Sequence, residues 1–207
     1  MLVVHHLNSS RSTRVLWLLE ELGVEYKLVR YQRDAHMRAP AALKDVHPLG
    51  KAPVIQDGDL MLAESAAILR YINDSYGEGR FAPPVGSTEA ATHDEWLQYA
   101  ESSAGLPIMV TLLGGLTGGL PDGLKGFIQP ELAKTLDYIS DGMTPGPFLM
   151  GEDFTLADIQ MSYLLILAES TGLLGDHPRI IEYLRHVETR PAFAKAIEVG
   201  GPIPLPR

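Results

Sequence analysis

The chain has 207 residues, a formal net charge of -9 and no cysteine. The missing cysteines exclude disulfides, thiolate metal sites and any mechanism that uses a protein thiol, and the negative charge argues against a general nucleic-acid binder. Hydrophobic residues at 45% and charged residues at 21% predict a globular fold with a real core, in one large domain or two small ones.

The N-terminal residues show no targeting pattern. They lack the basic region and the long apolar run of a signal peptide. No stretch of the chain approaches the roughly 18 uncharged apolar residues of a membrane-spanning helix. We therefore expect a cytoplasmic protein with neither a membrane nor a nucleic acid as its partner.

The first 79 residues have the pattern of a mixed α/β domain. Short β-branched and apolar runs alternate with segments whose apolar residues recur every three or four positions. Asp57-Gly58 is a strong signal for a hairpin, and an opening strand–helix–strand unit favours a parallel pair. The predicted order is β-α-β-α-β-β-α, with strands over 2–7, 26–31, 54–56 and 60–62 and helices over 11–22, 39–46 and 66–76.

The rest of the chain has a helical pattern. Residues 80–86 are rich in proline and form the predicted linker, so that residues 1–79 are one domain and residues 87–207 an all-helical second domain. Thr155 and Asp158 have the spacing of a capping box, with Phe154 and Ile159 as its hydrophobic staple. The predicted helices are 88–113, 127–141, 155–170, 177–188 and 191–198.

The most informative feature lies around Pro53. A proline next to a predicted strand restricts the backbone beside it and leaves a free polar edge. Glu64-Ser65 follows at the head of an apolar helix, where unpaired amides and the helix dipole attract an anion. This combination favours the capture of a small peptide with a free carboxylate. An ordinary strand start at Pro53 and simple helix capping at Glu64-Ser65 are the alternatives.

The chain resembles the glutathione transferases along nearly its whole length. The resemblance is carried by the order and spacing of LNSSRSTRVLW (7–17), PLGKAP (48–53), ES (64–65) and GEDFTLAD (151–158). It implies a thioredoxin-like α/β N-terminal domain followed by an all-α helical-bundle domain. It also implies that glutathione is the cosubstrate and that no metal is needed.

The resemblance assigns the glutathione contacts residue by residue. Pro53 stands where the family keeps a cis-proline, and the backbone of Ala52 would pair with the cysteinyl part of the tripeptide. Glu64 and Ser65 would hold the γ-glutamyl end. Lys51 would face the carboxylates of the peptide. Arg38, at a position that varies in the family, would reach the glycyl carboxylate from the second helix region.

The resemblance also places the thiol-activating group near the first helix. A free thiol has a pKa of about 8.5, so a hydroxyl donor and a helix N-terminus aimed at the sulfur would favour the thiolate. Ser9 precedes Arg14 by five residues, as the activating serine does in serine-type members. Ser10 and Ser12 remain alternatives, because any of the three serines could cap the helix instead.

The implied activity is transfer of glutathione to an apolar electrophile, with a role in detoxification and a peroxidase side reaction. The electrophile would lie between the domains against Met109, Leu112 and Leu113. The resemblance implies a homodimer, in which Glu101 either contributes across the interface or is a solvated helix residue. A non-catalytic glutathione-binding or structural protein is the alternative, as is a glutathione-dependent isomerase or dehalogenase.

One segment is unusual for the family's long helices. Residues 114–123 contain five glycines, and so much glycine costs helix stability. We expect either a mobile or widened wall of the electrophile site or an exposed loop without a role. His5 and His6 are adjacent in a predicted strand, so their side chains point to opposite faces and cannot share a metal.

Overall fold

The computed structural model describes residues 1–203. They form two compact units, one comprising Met1–Ala82 with the described residues from Thr189 onward, the other Pro83–Glu188. The elements in chain order are β1 (Val3–Leu7), α1 (Ser12–Leu22), β2 (Lys27–Tyr31), α2 (Ala42–Val46), β3 (Val54–Asp57), β4 (Leu60–Ala63), α3 (Ser65–Tyr76), α4 (Thr88–Tyr99), α5 (Gly105–Leu116), α6 (Asp122–Gly142), α7 (Leu156–Ser170), α8 (Pro178–Glu188) and α9 (Pro191–Gly200).

The first unit is built on a four-stranded mixed sheet with the strand order β2-β1-β3-β4. β1 and β2 are parallel, as the strand–helix–strand pattern predicts, while β3 is antiparallel to both β1 and β4. The predicted hairpin is confirmed: Asp57 pairs with Leu60 across a turn that contains Gly58. Gly58 has a φ of 57°, in the left-handed region that glycine adopts without a Cβ penalty. The predicted element order β-α-β-α-β-β-α is therefore correct.

The last helix belongs to the first unit, which differs from the predicted boundary of an all-helical domain at 87–207. α9 packs along α1, where Trp17 and Phe193 meet edge to face with ring centroids 4.9 Å apart. Arg190 donates to both carboxylate oxygens of Glu21, over 2.6 and 2.8 Å. Local periodicity identified this helix but could not assign it to a unit. Residues 204–207 of the predicted domain lie outside the described residues.

The second unit is helical, but its first predicted helix, 88–113, is wrong as a single element. The structure has α4 and α5 separated by a break at residues 100–104. Pro107 has no amide to donate and is tolerated only in the first turn of a helix, so a new helix begins at Gly105. In the break the Ser102 hydroxyl donates to the Gln98 carbonyl over 2.8 Å. Glu101 lies in this break and not on a helix face.

The glycine-rich segment is partly helical. α5 continues to Leu116 and α6 begins at Asp122, so only residues 117–121 connect the two helices. A Cβ on Gly114 would lie 2.5 Å from the side chain of Leu120, so this glycine permits a close contact with the connecting loop. The predicted start of the following helix at residue 127 is therefore five residues late.

α7 forms the core of the second unit, and residues 156–168 are all buried. The predicted capping box is confirmed. The Thr155 amide donates to Oδ2 of Asp158 and the Leu149 amide donates to Oδ1, each over 2.8 Å. Both staple residues, Phe154 and Ile159, are buried. Burial raises the pKa of Asp158 to about 6, although these hydrogen bonds act to lower it.

No helix within residues 1–203 combines the length and the apolar character that a bilayer crossing requires.

Candidate functional site

One end of the sheet gathers the three motifs that the sequence singles out. β1 pairs with β3 up to His5 opposite Val54, and β3 pairs with β4 from Val54 opposite Ala63. The segments that follow β1, precede β3 and follow β4 therefore lie at the same end of the sheet. The segments brought together in this way are Ser9–Ser10, Ala52–Pro53 and Glu64–Ser65.

Ala52 and Pro53 lie just outside the ladders. The Ala52–Pro53 peptide bond is cis. Pro53 is buried and Ala52 is half-buried. Because the pairing of β3 with each neighbour begins at Val54, the backbone polar groups of Ala52 are not consumed by either ladder. They are positioned to accept an added extended segment.

Glu64 and Ser65 form the head of α3. Glu64 has a φ of 72° and a ψ of 116°, which a non-glycine residue rarely adopts, and strain of this kind costs on the order of 1–3 kcal/mol. Its side chain is exposed, whereas that of Ser65 is buried. Arg14, fully buried on α1, donates from Nη1 to the Ser65 hydroxyl over 3.1 Å. A buried cation thus lies beneath the N-terminus of α3.

The two predicted cationic residues are both on the surface. Lys51 directly precedes Ala52, and its side chain is exposed. Arg38 is also exposed and lies four residues before the first residue of α2, at the end of a loop stabilised by Asp34. The Arg38 amide donates to Oδ1 of Asp34 over 2.8 Å, and the Asp34 amide donates to the Arg38 carbonyl over 3.0 Å. The loop backbone is therefore ordered while the guanidinium faces solvent.

Ser12 belongs to a buried hydrogen-bond chain that the sequence did not indicate. His6 Nε2 lies 2.8 Å from the Gly200 carbonyl, which can only accept, so this nitrogen carries the proton. His6 Nδ1 then accepts from the Ser12 hydroxyl over 2.8 Å. Burial lowers the pKa of His6, which favours the neutral imidazole that this arrangement requires. Ser12 therefore directs its proton into the protein.

Ser10 is also directed inward, whereas Ser9 is more weakly engaged. The Ser10 hydroxyl donates to the Leu7 carbonyl over 2.7 Å and lies 2.7 Å from the Ser12 hydroxyl. The Ser9 hydroxyl has a contact of 3.4 Å with the Pro202 carbonyl, well beyond the usual length of an O–H···O bond. Among the three candidate serines, Ser9 has the proton that a stronger acceptor can most easily take.

Arg33 is a residue of this region that the sequence analysis missed. Its guanidinium donates from Nε to the Asn8 carbonyl over 3.1 Å and from Nη2 to the Ser9 carbonyl over 3.2 Å. The signal was available in the topology: parallel β1 and β2 end opposite each other at Leu7 and Tyr31, so residues that follow either strand are neighbours. No local motif marks this arginine.

The two adjacent histidines have separate partners. His5 Nδ1 lies 3.0 Å from the Tyr31 hydroxyl, while His6 contacts Ser12 and Gly200. In the part of the chain that the structure describes, no three His, Asp or Glu side chains are grouped so that they could hold a metal ion.

The predicted electrophile contacts lie on α5 of the second unit, and they differ in exposure. Leu112 is buried, at 5% exposure, and belongs to the core of this unit, contrary to its predicted role. Met109 is half-buried, and Leu113 is 51% exposed. Leu106 and Leu116 are also exposed, so the residues spaced at three and four positions form one apolar stripe. The α5 stripe consists of Leu106, Met109, Leu113 and Leu116.

Comparison with protein-family models finds two matches. Residues 1–74 match the N-terminal domain of glutathione S-transferase, and residues 122–198 match its C-terminal domain. Together these segments span most of the chain, including the whole sheet, the three motifs around it and the capping box.

Two glutathione S-transferases are similar to this chain over most of its length. Glutathione S-transferase 3 of Schizosaccharomyces pombe is 32% identical, over 96% of this chain and 87% of that protein. Glutathione S-transferase 3 of Zea mays is 30% identical, over 96% of this chain and 92% of that protein.

A solved structure supports the fold at comparable identity. The crystal structure of a glutathione S-transferase from Actinobacillus pleuropneumoniae has a TM-score of 0.87 and 34% identity, covering 97% of this chain and 93% of that one. The sheet and helices α1–α3 of the first unit thus form the thioredoxin-like α/β domain, and the later helices form the helical domain, whose family model also covers most of α9. The chain belongs to the glutathione S-transferase family.

Proposed function

We propose that this glutathione S-transferase binds glutathione at the end of its sheet and conjugates the glutathione thiolate, activated by Ser9, to apolar electrophiles. The observation that carries the proposal is the strand register. It brings the unpaired backbone of Ala52, the strained head of α3 and the weakly engaged hydroxyl of Ser9 to the same end of the sheet.

The γ-glutamyl end is proposed to bind at α3. Its carboxylate would accept from the first amides of the helix and from the Ser65 hydroxyl. The buried Arg14 guanidinium, 3.1 Å from that hydroxyl, adds a positive potential at the same point. The exposed Glu64 carboxylate would pair with the ammonium group of the ligand.

The remainder of the tripeptide would run along the Ala52 edge. Its cysteinyl backbone would pair with Ala52 as a short added strand. Lys51 and Arg38 are proposed to attract the glycyl carboxylate as exposed cations, with a smaller contribution because solvent screens them. This orientation would direct the thiol towards the loop that contains Ser9.

The chemical step begins with loss of the thiol proton to solvent. At pH 7 only about 3% of a free thiol with its ordinary pKa is ionised. A hydrogen bond donated by Ser9 and the nearby N-terminus of α1 would stabilise the anion and lower that pKa. The sulfur then attacks the electrophilic carbon, a carbon–sulfur bond forms, and the leaving group departs with its electron pair.

The α5 stripe is proposed to contact the electrophile. Four apolar side chains on one helix face, three of them exposed, are suited to an apolar substrate. The same thiolate could reduce a hydroperoxide as a side reaction. We also propose that the protein is a cytoplasmic homodimer with a role in detoxification, because the resemblance to the family implies these properties.

The direct test combines glutathione retention with turnover. The wild type should be retained on immobilised glutathione and should conjugate a generic aryl halide. No retention contradicts the proposal. Retention without turnover of any aryl halide or hydroperoxide would favour a non-catalytic glutathione-binding protein. Turnover restricted to isomerisation or dehalogenation would favour a glutathione-dependent isomerase or dehalogenase.

The role of Ser9 is tested by Ser9→Ala. We expect the thiolate fraction of bound glutathione near neutral pH to fall at least about tenfold, and turnover to fall with it, because one hydrogen bond to the anion is lost. Glutathione affinity should change little. Ser103→Ala, an exposed serine of the second unit, is the matched control. An unchanged thiol titration in Ser9→Ala would contradict the assignment.

A further inference from the structure

Arg33 joins two loops at the end of the sheet. Its guanidinium donates to three backbone carbonyls: Asn8 over 3.1 Å, Ser9 over 3.2 Å and Met37 over 2.8 Å. Its own amide donates to the Asn8 side chain over 2.8 Å. A single half-buried side chain therefore connects the loop after β1 with the loop after β2.

Two of these three acceptors belong to residues in an unfavourable backbone conformation. Ser9 has a φ of 47° and Met37 a φ of 60°, the left-handed region that costs a residue with a Cβ about 1–2 kcal/mol. Such conformations persist only where the surroundings hold them. A planar guanidinium with five donors in a rigid fork can hold several carbonyls at once.

The two loops contain groups that face different parts of the proposed glutathione ligand. Ser9 is the proposed thiol-activating residue. Met37 directly precedes Arg38, the proposed contact of the glycyl carboxylate. A change in the backbone at either residue would redirect the side chain on which binding or thiolate formation depends.

We propose that Arg33 is a positioning residue for this chemistry: it holds the Ser9 backbone so that the hydroxyl meets the thiol, and it holds the Met37 turn that presents Arg38. The inference rests on the proposed function of the site. Arg33 acts through Ser9 and Arg38, and its fork geometry matters more than its charge.

The first test is the pair Arg33→Ala and Arg33→Lys. In both, the turnover number near pH 6.5 should fall about tenfold and recover towards the wild-type value at high pH, where the thiol ionises without help. The KM for glutathione should rise several-fold, because Arg38 is no longer held. Arg185→Ala, which removes an exposed guanidinium from α8, is the control and should leave the pH profile unchanged.

Arg33→Lys separates geometry from charge. A lysine keeps the positive charge but cannot donate to three carbonyls in the plane of a fork. A wild-type pH profile in Arg33→Lys would overturn the positioning role and leave only an effect of charge. A uniform loss of activity at every pH, with the thiol titration unchanged, would likewise overturn it and indicate a general structural role.

The second test asks whether Arg33 acts through Ser9. In a Ser9→Ala background, Arg33→Ala should cause no further change in the thiol titration, because the group that it positions is already absent. Independent and additive changes would contradict the inference. The cycle uses the bound thiol as its readout, so a merely destabilising effect of Arg33→Ala does not imitate the expected result.

A third measurement does not depend on glutathione. Amide hydrogen exchange at residues 8–10 and 37–38 should be faster in Arg33→Lys than in the wild type, while exchange in α3 stays the same. Faster exchange in Arg33→Lys, together with a wild type that fails to bind glutathione, would refute the proposed function and still support the attachment of the two loops by Arg33. Unchanged exchange in Arg33→Lys, together with a wild type that binds glutathione, would refute the positioning role of Arg33 alone.

Discussion

Helices α3 and α7 differ in how their N-termini are capped. α7 begins with a complete capping box in which Thr155 and Asp158 are both buried and bind each other's backbone. α3 begins at Glu64, which is exposed, has a φ of 72° and, in the described part of the chain, makes no side-chain capping bond. One start is satisfied by its own side chains, and the other is strained and open to solvent.

The N-terminus of α7 contributes to stability, whereas the N-terminus of α3 is the proposed binding site for a carboxylate. Four amides at the start of any helix lack partners within the helix. At α7 the carboxylate of Asp158 takes part in meeting that need and also binds the Leu149 amide, so this start holds a loop to the core. At α3 the proposed γ-glutamyl carboxylate would meet the same need, and the strain at Glu64 would be the energetic cost of leaving that place open.

The largest expected effect is at the capped helix. Asp158→Ala leaves the buried amides of Leu149 and Thr155 without their acceptor, so the free energy of unfolding should fall by about 4 kcal/mol. Urea unfolding measures it. Asp153→Ala, an exposed carboxylate five residues earlier in the same segment, is the control. A loss below about 1 kcal/mol would show that this helix start is not essential to stability.

The pH dependence of stability should have opposite signs in the two units. The pKa of Asp158 is raised to about 6, so its ionisation should lower the free energy of unfolding by about 3 kcal/mol as pH rises from about 3 to 7. The pKa of His6 is lowered by burial, so protonation favours the unfolded chain and stability falls as pH drops below about 6.5.

Two substitutions test these signs one at a time. Asp158→Asn should remove the loss of stability with rising pH, and His6→Asn should remove the loss with falling pH. Chemical unfolding at a series of pH values provides both measurements. The same sign in both variants, each compared with the wild type, would contradict the assigned protonation states.

The smallest effects are expected at the open helix. Glu64→Ala should weaken glutathione binding about tenfold by removing the partner of the ammonium group, and should change the free energy of unfolding little. Glu64→Gly should weaken binding equally and raise the free energy of unfolding by about 1 kcal/mol, because glycine relieves the positive φ. Isothermal titration and urea unfolding measure the two quantities.

Glu78 provides a matched control for Glu64. It is also an exposed glutamate of the first unit with a positive φ, at 53°, but it follows the C-terminal end of α3. Glu78→Gly should raise stability in the same way without any loss of affinity. Equal losses of affinity in the two glycine variants would show that Glu64 has no specific part in binding.

Local signals account for the elements that were predicted correctly. The Asp57-Gly58 turn, the capping box at Thr155 and the opening strand–helix–strand unit each depend on neighbouring residues and on chain chirality. The prediction of one helix over 88–113 failed because apolar periodicity continues across the break, while Pro107 determines where the second helix can start.

The site was predictable as a set of segments but not as a network. Ser9, Ala52–Pro53 and Glu64–Ser65 are recognisable by residue type and spacing. Arg33 and His6 were not recognisable, because their partners are backbone carbonyls of Met37 and Gly200 in other segments. A carbonyl carries no side-chain signature, so nothing in the residue types records these contacts.

The sequence alone determined the order of the elements, the capping box and the family resemblance, because propensity, turn chemistry and spacing act over a few residues. Only the tertiary structure decided that α9 joins the first unit, that Ser10 and Ser12 turn inward and that Arg33 donates a hydrogen bond to the Ser9 carbonyl. These outcomes depend on packing and hydrogen bonds between residues far apart in the chain, whose distances no local pattern specifies.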